Sequence, residues 1–169
     1  RWNEKINLTA DTDEWSVVNK HIHESLQYAR AISPLGNLAD IGSGAGFPGI
    51  PIKVIFPTLD VVLIESQRKR VSFLKTVIRS MGLEKIKCVH GRVEDFSDFL
   101  GSYDFVVLRH VLQPNSSLAL GAGLLNARGR LILQTDLNVS FYLDFTNSIC
   151  LSLVNEIIVK RLSGSPSKL

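Results

Sequence analysis

A short apolar run, Leu38 to Ile41, leads straight into Gly42-Ser43-Gly44-Ala45-Gly46-Phe47-Pro48-Gly49, and no other stretch constrains this chain as strongly. Glycine reaches positive φ without strain and lets a ligand approach the backbone, while a helix starting there presents unpaired N–H groups. The pattern predicts a strand, a turn and a helix that together hold a nucleotide-like group at the carboxyl end of the strand. A glycine turn with no ligand is the plain alternative, but this density of glycine exceeds what a turn requires.

The segment Gly44 to Gly49 also satisfies the G-x-G-x-x-G pattern of dinucleotide sites. Two residues point elsewhere. Asp40 stands where an acid would repel a pyrophosphate but suit the cationic amino-acid end of S-adenosylmethionine. Pro48 removes a donor N–H that a pyrophosphate would use. Glu65 ends the buried run Val61-Val62-Leu63-Ile64, and its two oxygens can accept hydrogen bonds from both ribose hydroxyls.

The surrounding pattern alternates. Trp15, Val18, Ile22, Leu26 and Ala29 recur at helical spacing between Asp13 and Arg30, with Thr12 or Asp13 as cap. Ser66 to Met81 reads as an amphipathic helix. Val71, Leu74, Val77, Ile78 and Met81 form its apolar stripe, with Arg68, Lys69, Arg70, Lys75 and Arg79 in water. Further strands are expected at Ile86–Val89, Tyr103–Leu108, Arg130–Gln134 and Val154–Val159. Alternation of this kind predicts an α/β fold, a mostly parallel central sheet with helices on both faces. The chain is expected to be one domain over 1–169, with a helical segment 1–36 before a sheet core 37–169.

The 169 residues are 45% hydrophobic and 21% charged, enough for one buried sheet, and the net charge of +3 is compatible with a polyanionic partner. Cys88 and Cys150 are far apart and in no metal-ligand spacing. Two reduced thiols and a cytoplasmic protein are expected. No apolar run approaches the ~18 residues of a membrane span. The opening Arg1-Trp2 and the closing Ser163 to Leu169 suggest truncation at both ends, with a last strand lying outside the chain. The terminal Ser167-Lys168-Leu169 carries little weight as a targeting signal for that reason.

Four blocks, Trp2 to Thr9, His21 to Leu26, Asp40 to Lys53, and Glu65-Ser66 with Lys69 to Leu74, occur in an order that resembles the bacterial glucose-inhibited division protein B family. The resemblance implies a Rossmann-like class I S-adenosylmethionine-dependent methyltransferase acting on N7 of a guanine in the decoding-region loop of 16S rRNA, with S-adenosylhomocysteine as product. It further implies cofactor contacts at Asp40, Gly42, Gly44, Gly46, Phe47, Glu65, Val93 and Glu94, and places Arg109 between cofactor and substrate. The chain departs from the family pattern after that arginine, with His110-Val111-Leu112, and again at Gln134-Thr135-Asp136.

Guanine N7 offers a lone pair and carries no proton, so no general base is required. Arg109 is a candidate for positioning only. Ser43 and Ser66 read as turn and cap residues. Phe47 could stack on a splayed base or pack on the cofactor, since N7 is out of reach in the deep groove of A-form RNA. Lys5, Lys20, Lys53, Arg128 and Arg130 are candidate phosphate contacts. His21 and His23 stand two residues apart on a helix, face different ways and hold no metal. The expected partner is small-subunit rRNA or a ribosomal particle, bound by a monomer without membrane attachment. Two other readings stay open: a methyltransferase of another substrate, and a non-catalytic RNA-binding relative.

Overall fold

The computed structural model describes residues 2–10, 13–109, 114–134, 149–154 and 157–162. Its helices are α1 (Asn3–Ile6), α2 (Glu14–Ser16), α3 (His23–Ala29), α4 (Gly49–Ile55), α5 (Arg68–Ser80) and α6 (Pro114–Leu124). Its strands are β1 (Asn37–Ile41), β2 (Asp60–Glu65), β3 (Ile86–His90), β4 (Tyr103–Leu108), β5 (Leu125–Gln134), β6 (Ile149–Val154) and β7 (Ile157–Leu162). They form one seven-stranded sheet in the order β3-β2-β1-β4-β5-β7-β6. Strands β1 to β5 run parallel, and β7 runs antiparallel to both β5 and β6. The single strand expected over Val154–Val159 is thus two strands flanking residues 155–156.

The unbroken apolar runs are explained by burial on both faces. Leu38, Val61, Leu63, Phe105, Val107 and Ile132 point to one side, where α3, α4 and α5 cover them with Tyr28, Ile52, Val71 and Leu74. Ala39, Val62, Ile64, Val106, Leu131 and Leu133 point to the other, beneath Val93 and Leu124. Chain order reverses on either side of β1, which has β2 and β4 as neighbours. A crevice outside the carboxyl ends at such a switch point is where open α/β sheets bind ligands. Among the described residues, no helix is long and apolar enough to cross a membrane.

Two apolar stripes are displaced from expectation. Between α2 and α3 the chain winds as a π-helix, Val17–Ile22, whose wider turn rotates the residues that follow. Leu26 beyond it faces water, as do Val18 within it and Trp15 (73% exposed) before it, while His21, Ser25, Tyr28 and Ala29 face inward. Asp13 provides the cap, its carboxylate accepting from Ser16 N–H at 2.8 Å. In α5 the stripe holds through Ile78, but Met81 lies past the last turn and is exposed.

Candidate functional site

The loop after β1 is shaped by its glycines. Gly42, Gly44 and Gly46 adopt φ of +71°, +55° and +91°, a region where a Cβ is strained. Gly42 and Ser43 donate to Ile64 O at 2.9 and 3.2 Å, tying the loop to the end of β2. Ser43 Oγ donates back to Asp40 O at 3.0 Å, in keeping with a turn role. A Cβ on Gly42 would meet nothing within 4 Å, so the space above that glycine is open. A Cβ on Gly49 would lie 2.5 Å from both Asp40 Oδ2 and a Leu63 methyl, so only glycine lets α4 begin there.

Two carboxylates support the loop from beneath. Glu65 is buried; it accepts from Gly44 N–H at 2.8 Å and from Gln67 N–H at 2.7 Å. Each of its oxygens retains a lone pair for a further donor. Asp40 is 1% exposed. Its Oδ2 accepts from Gly49 N–H at 3.0 Å, and its Oδ1 has no hydrogen-bond partner. Burial drives the Asp40 pKa up from 3.8 to about 7, opposed by the Gly49 and Ser43 hydrogen bonds. An acid held so close to neutrality, with an orphaned oxygen, gains most from a cationic neighbour. Neither carboxylate lines the open cleft.

That cleft, about 400 Å³, lies between the loop and the N-terminal segment, lined in part by Thr9, Lys20, Phe47, Arg70 and Arg109. A groove of similar size, about 470 Å³, opens at the opposite strand ends around exposed Asp60, Lys85 and Lys87, where there is no glycine loop. Arg109 follows β4 directly and its side chain is 7% exposed. Its guanidinium pairs with Glu24, donates to His21 Nδ1 at 2.5 Å and sits 5.8 Å from the Phe47 ring. The His21 ring stacks on Phe47 at 5.1 Å and bonds Thr9 Oγ1 through Nε2 at 2.8 Å. Tyr28 holds the end of β4 from beneath, its buried hydroxyl donating to Leu108 O at 2.8 Å.

The N-terminal blocks acquire a physical reason here. Asn3 Oδ1 accepts from the N–H groups of Leu8 and Thr9 at 2.8 and 2.9 Å, and its amide donates to Thr9 O at 3.0 Å. Asn7 takes φ +49° to close that turn, and Trp2 packs edge-on against Phe73. Arg70 is not free in water as expected: it donates to Asn7 O at 3.3 Å and lines the cleft. Thr9, His21, Glu24 and Arg70 were therefore not recognised as site residues. His21 and His23 do face different ways, the first buried and the second exposed beside Gln27.

Not every expected position gathers at the cleft. Gly42, Gly44, Phe47, Arg109 and Lys20 do. Gly46 is buried under the loop; a Cβ there would strike Ile50 and Leu74. Val93 and Glu94 form a 3-10 turn after β3, Val93 buried and Glu94 exposed, next to the end of β2. Lys5 is exposed on α1. Lys53 is a correction: it is 2% exposed and donates to Pro57 O at 2.8 Å and Leu59 O at 2.5 Å, so no phosphate can reach it. Arg128 and Arg130 do not gather at the cleft: Arg130 pairs with Phe105 in the middle of β4 and donates to Ala31 O at 3.1 Å, and Arg128 is exposed earlier in β5. His110 and Thr135-Asp136 lie outside the described residues, as does the side chain of Gln134.

Ribosomal RNA small subunit methyltransferase G of Streptococcus pyogenes serotype M5 is 44% identical over 138 residues, 78% of this chain and 58% of that protein. The same-named protein of Streptococcus equi subsp. zooepidemicus matches to the same extent. The chain thus spans a little over half the length of these relatives. Solved structures share the fold. A SAM-dependent methyltransferase from Aquifex aeolicus superposes with a TM-score of 0.66 at 15% identity, covering 89% of this chain and 94% of that one. A methyltransferase from Geobacter sulfurreducens gives 0.68 at 14%, covering 94% and 92%. M. jannaschii TYW2, solved in complex with AdoMet, gives 0.65 at 16%, covering 83% and 73%. Residues 1–137 match the family described as GidB, rRNA small subunit methyltransferase G, and the chain belongs to that family.

Proposed function

We propose that this chain binds S-adenosylmethionine at the Asp40–Gly49 loop and transfers its methyl group to N7 of a guanine in small-subunit rRNA, yielding S-adenosylhomocysteine. The observation that carries this reading is the positive-φ glycine loop with Glu65 beneath it and a cationic cleft beside it, in a member of a family named for rRNA methylation. Glu65, beneath the loop at the end of β2, has lone pairs left for ribose hydroxyls, and Asp40, buried beneath the loop, favours a cationic tail by its charge rather than by contact. Open space above Gly42 leaves room for the cofactor, with Gly44 and Phe47 in the wall, Gly46 packed beneath the loop, and Val93 and Glu94 at its adenine end. When bound, the sulfonium supplies an electrophilic methyl group. The relative solved with AdoMet supports that identity.

The protein's own work is orientation. Arg109, held by Glu24 and His21, fixes the side of the cleft that meets the substrate, and Phe47 offers a ring face. Lys20 and Arg70 line the same cleft, Lys5 lies on the same N-terminal segment, and all three suit phosphates. Because N7 carries no proton, no residue has to remove one. Proximity of this kind is worth roughly 7–11 kcal/mol in favourable cases. We place the chain in the cytoplasm as a single methyltransferase domain acting as a monomer, with rRNA or a ribosomal particle as partner. Calorimetry with S-adenosylmethionine, followed by labelled methyl transfer to undermethylated small subunits, tests the reading. Binding followed by N7 labelling is expected; binding without labelling would leave a non-catalytic RNA-binding relative.

A further inference from the structure

The side chains around Arg109 determine where the proton on His21 must be. Arginine donates hydrogen bonds and accepts none. Its Nη2 has two N–H groups: one pairs with Glu24, and the other points at His21 Nδ1, 2.5 Å away. Nδ1 must therefore be the bare, accepting nitrogen. The ring proton is then on Nε2, where it donates to Thr9 Oγ1 at 2.8 Å. A proton on Nδ1 would set N–H against N–H with no acceptor between them. Thr9 is itself fixed by three hydrogen bonds from Asn3 to its turn. The π-helical stretch Val17–Ile22 carries His21, which is 6% exposed and stacked on Phe47. A π-turn inside a helix frequently marks a functional position.

We infer that His21, held as the neutral Nε2–H tautomer, is a positioning residue: it links the Asn3–Thr9 turn to Arg109 and holds the guanidinium edge against Phe47 at the substrate side of the cleft. This goes beyond tethering a helix, because the acceptor at Nδ1, rather than the bulk of the ring, is what Arg109 requires. Its functional consequence rests on the methyl-transfer reading, whereas the tautomer does not.

Nitrogen-15 NMR of imidazole-labelled chain reads the tautomer directly, with His21 assigned by the signal lost in H21N. The expected result is a bare Nδ1 and a protonated Nε2; an Nδ1–H ring, or an average of the two tautomers, overturns the inference. The second arm compares H21N, whose amide oxygen can stand at the Nδ1 position, with H21L, which has no acceptor. Methyl transfer to small subunits should fall about 100-fold in kcat for H21L, the scale of an ångström-sized misplacement. KM for S-adenosylmethionine should stay near wild type, and H21N should recover most of the loss. Equal activity in the two variants overturns the positioning role. Wild-type chain that transfers no methyl group would refute the proposed function instead, and the NMR arm would still decide the tautomer.

Discussion

Replacing Asp40 with Asn should stabilise the fold while weakening the site, and the stability gain should depend on pH in a specified way. Asp40 sits at the end of β1 with one oxygen on Gly49 N–H and the other unpaired. Its folded pKa is about 7 against an ordinary 3.8, with desolvation the leading cause. Below pH 3.8 folded and unfolded chains both hold the proton, and the carboxyl costs nothing. As pH rises from there the unfolded chain ionises while the folded chain does not, so wild-type stability falls until the folded group titrates near 7. At 1.36 kcal/mol per tenfold change in proton affinity, the full loss is about 4 kcal/mol. Asn keeps an oxygen for Gly49 and never ionises. Its amide carries a desolvation cost of its own, roughly 1–3 kcal/mol, but that cost does not vary with pH. The clean quantity is therefore the difference in unfolding free energy between Asp40→Asn and wild type, measured by urea titration at pH 4 and pH 8. It should grow by about 4 kcal/mol between the two. A constant difference would refute the idea that a buried, nearly neutral carboxyl underlies the loop. The variant should also bind S-adenosylmethionine more weakly at pH 8, where the wild-type carboxylate is charged.

Gly44→Val should abolish cofactor binding by calorimetry, because residue 44 holds φ +55° and lines the cleft; undiminished binding would mean the loop has been misread. Lys53→Ala should lower stability by a few kcal/mol, since two carbonyls lose a buried donor, and leave the salt dependence of rRNA binding unchanged. Lys20→Ala should reduce the salt slope by about one contact, whereas Arg128→Ala, outside the cleft, should not; filter binding between low and moderate salt separates them.

How much of this was legible depended on the range of the interaction. The Gly42–Gly49 turn could be read directly because positive φ is a local demand that glycine meets, whereas the hydrogen bonds that Glu65 accepts from Gly44 and Gln67 N–H, which support the loop, left no mark in the sequence pattern. Strands β1, β2 and β4 announced themselves by unbroken apolar runs, since both faces are covered. The helical stripe failed at Val18 and Leu26 because periodicity assumes α-helical winding, and the π-turns of Val17–Ile22 break it. Lys53 looked like any surface lysine until the carbonyls of Pro57 and Leu59 closed around it. The Thr9–His21–Arg109 chain joins residues 12 and 88 positions apart. No spacing rule reaches that far, and only the packing of the π-helical segment over the end of β4 brings them together.

Methylation of guanine N7 in small-subunit rRNA by this chain is a proposal that a cell-level measurement decides. The most direct test maps N7-methylguanine across that rRNA in cells with and without the protein. Loss of one such modification in the decoding-region loop, restored by the wild-type gene and not by Gly44→Val, is the predicted result. An identical map in both strains would contradict it.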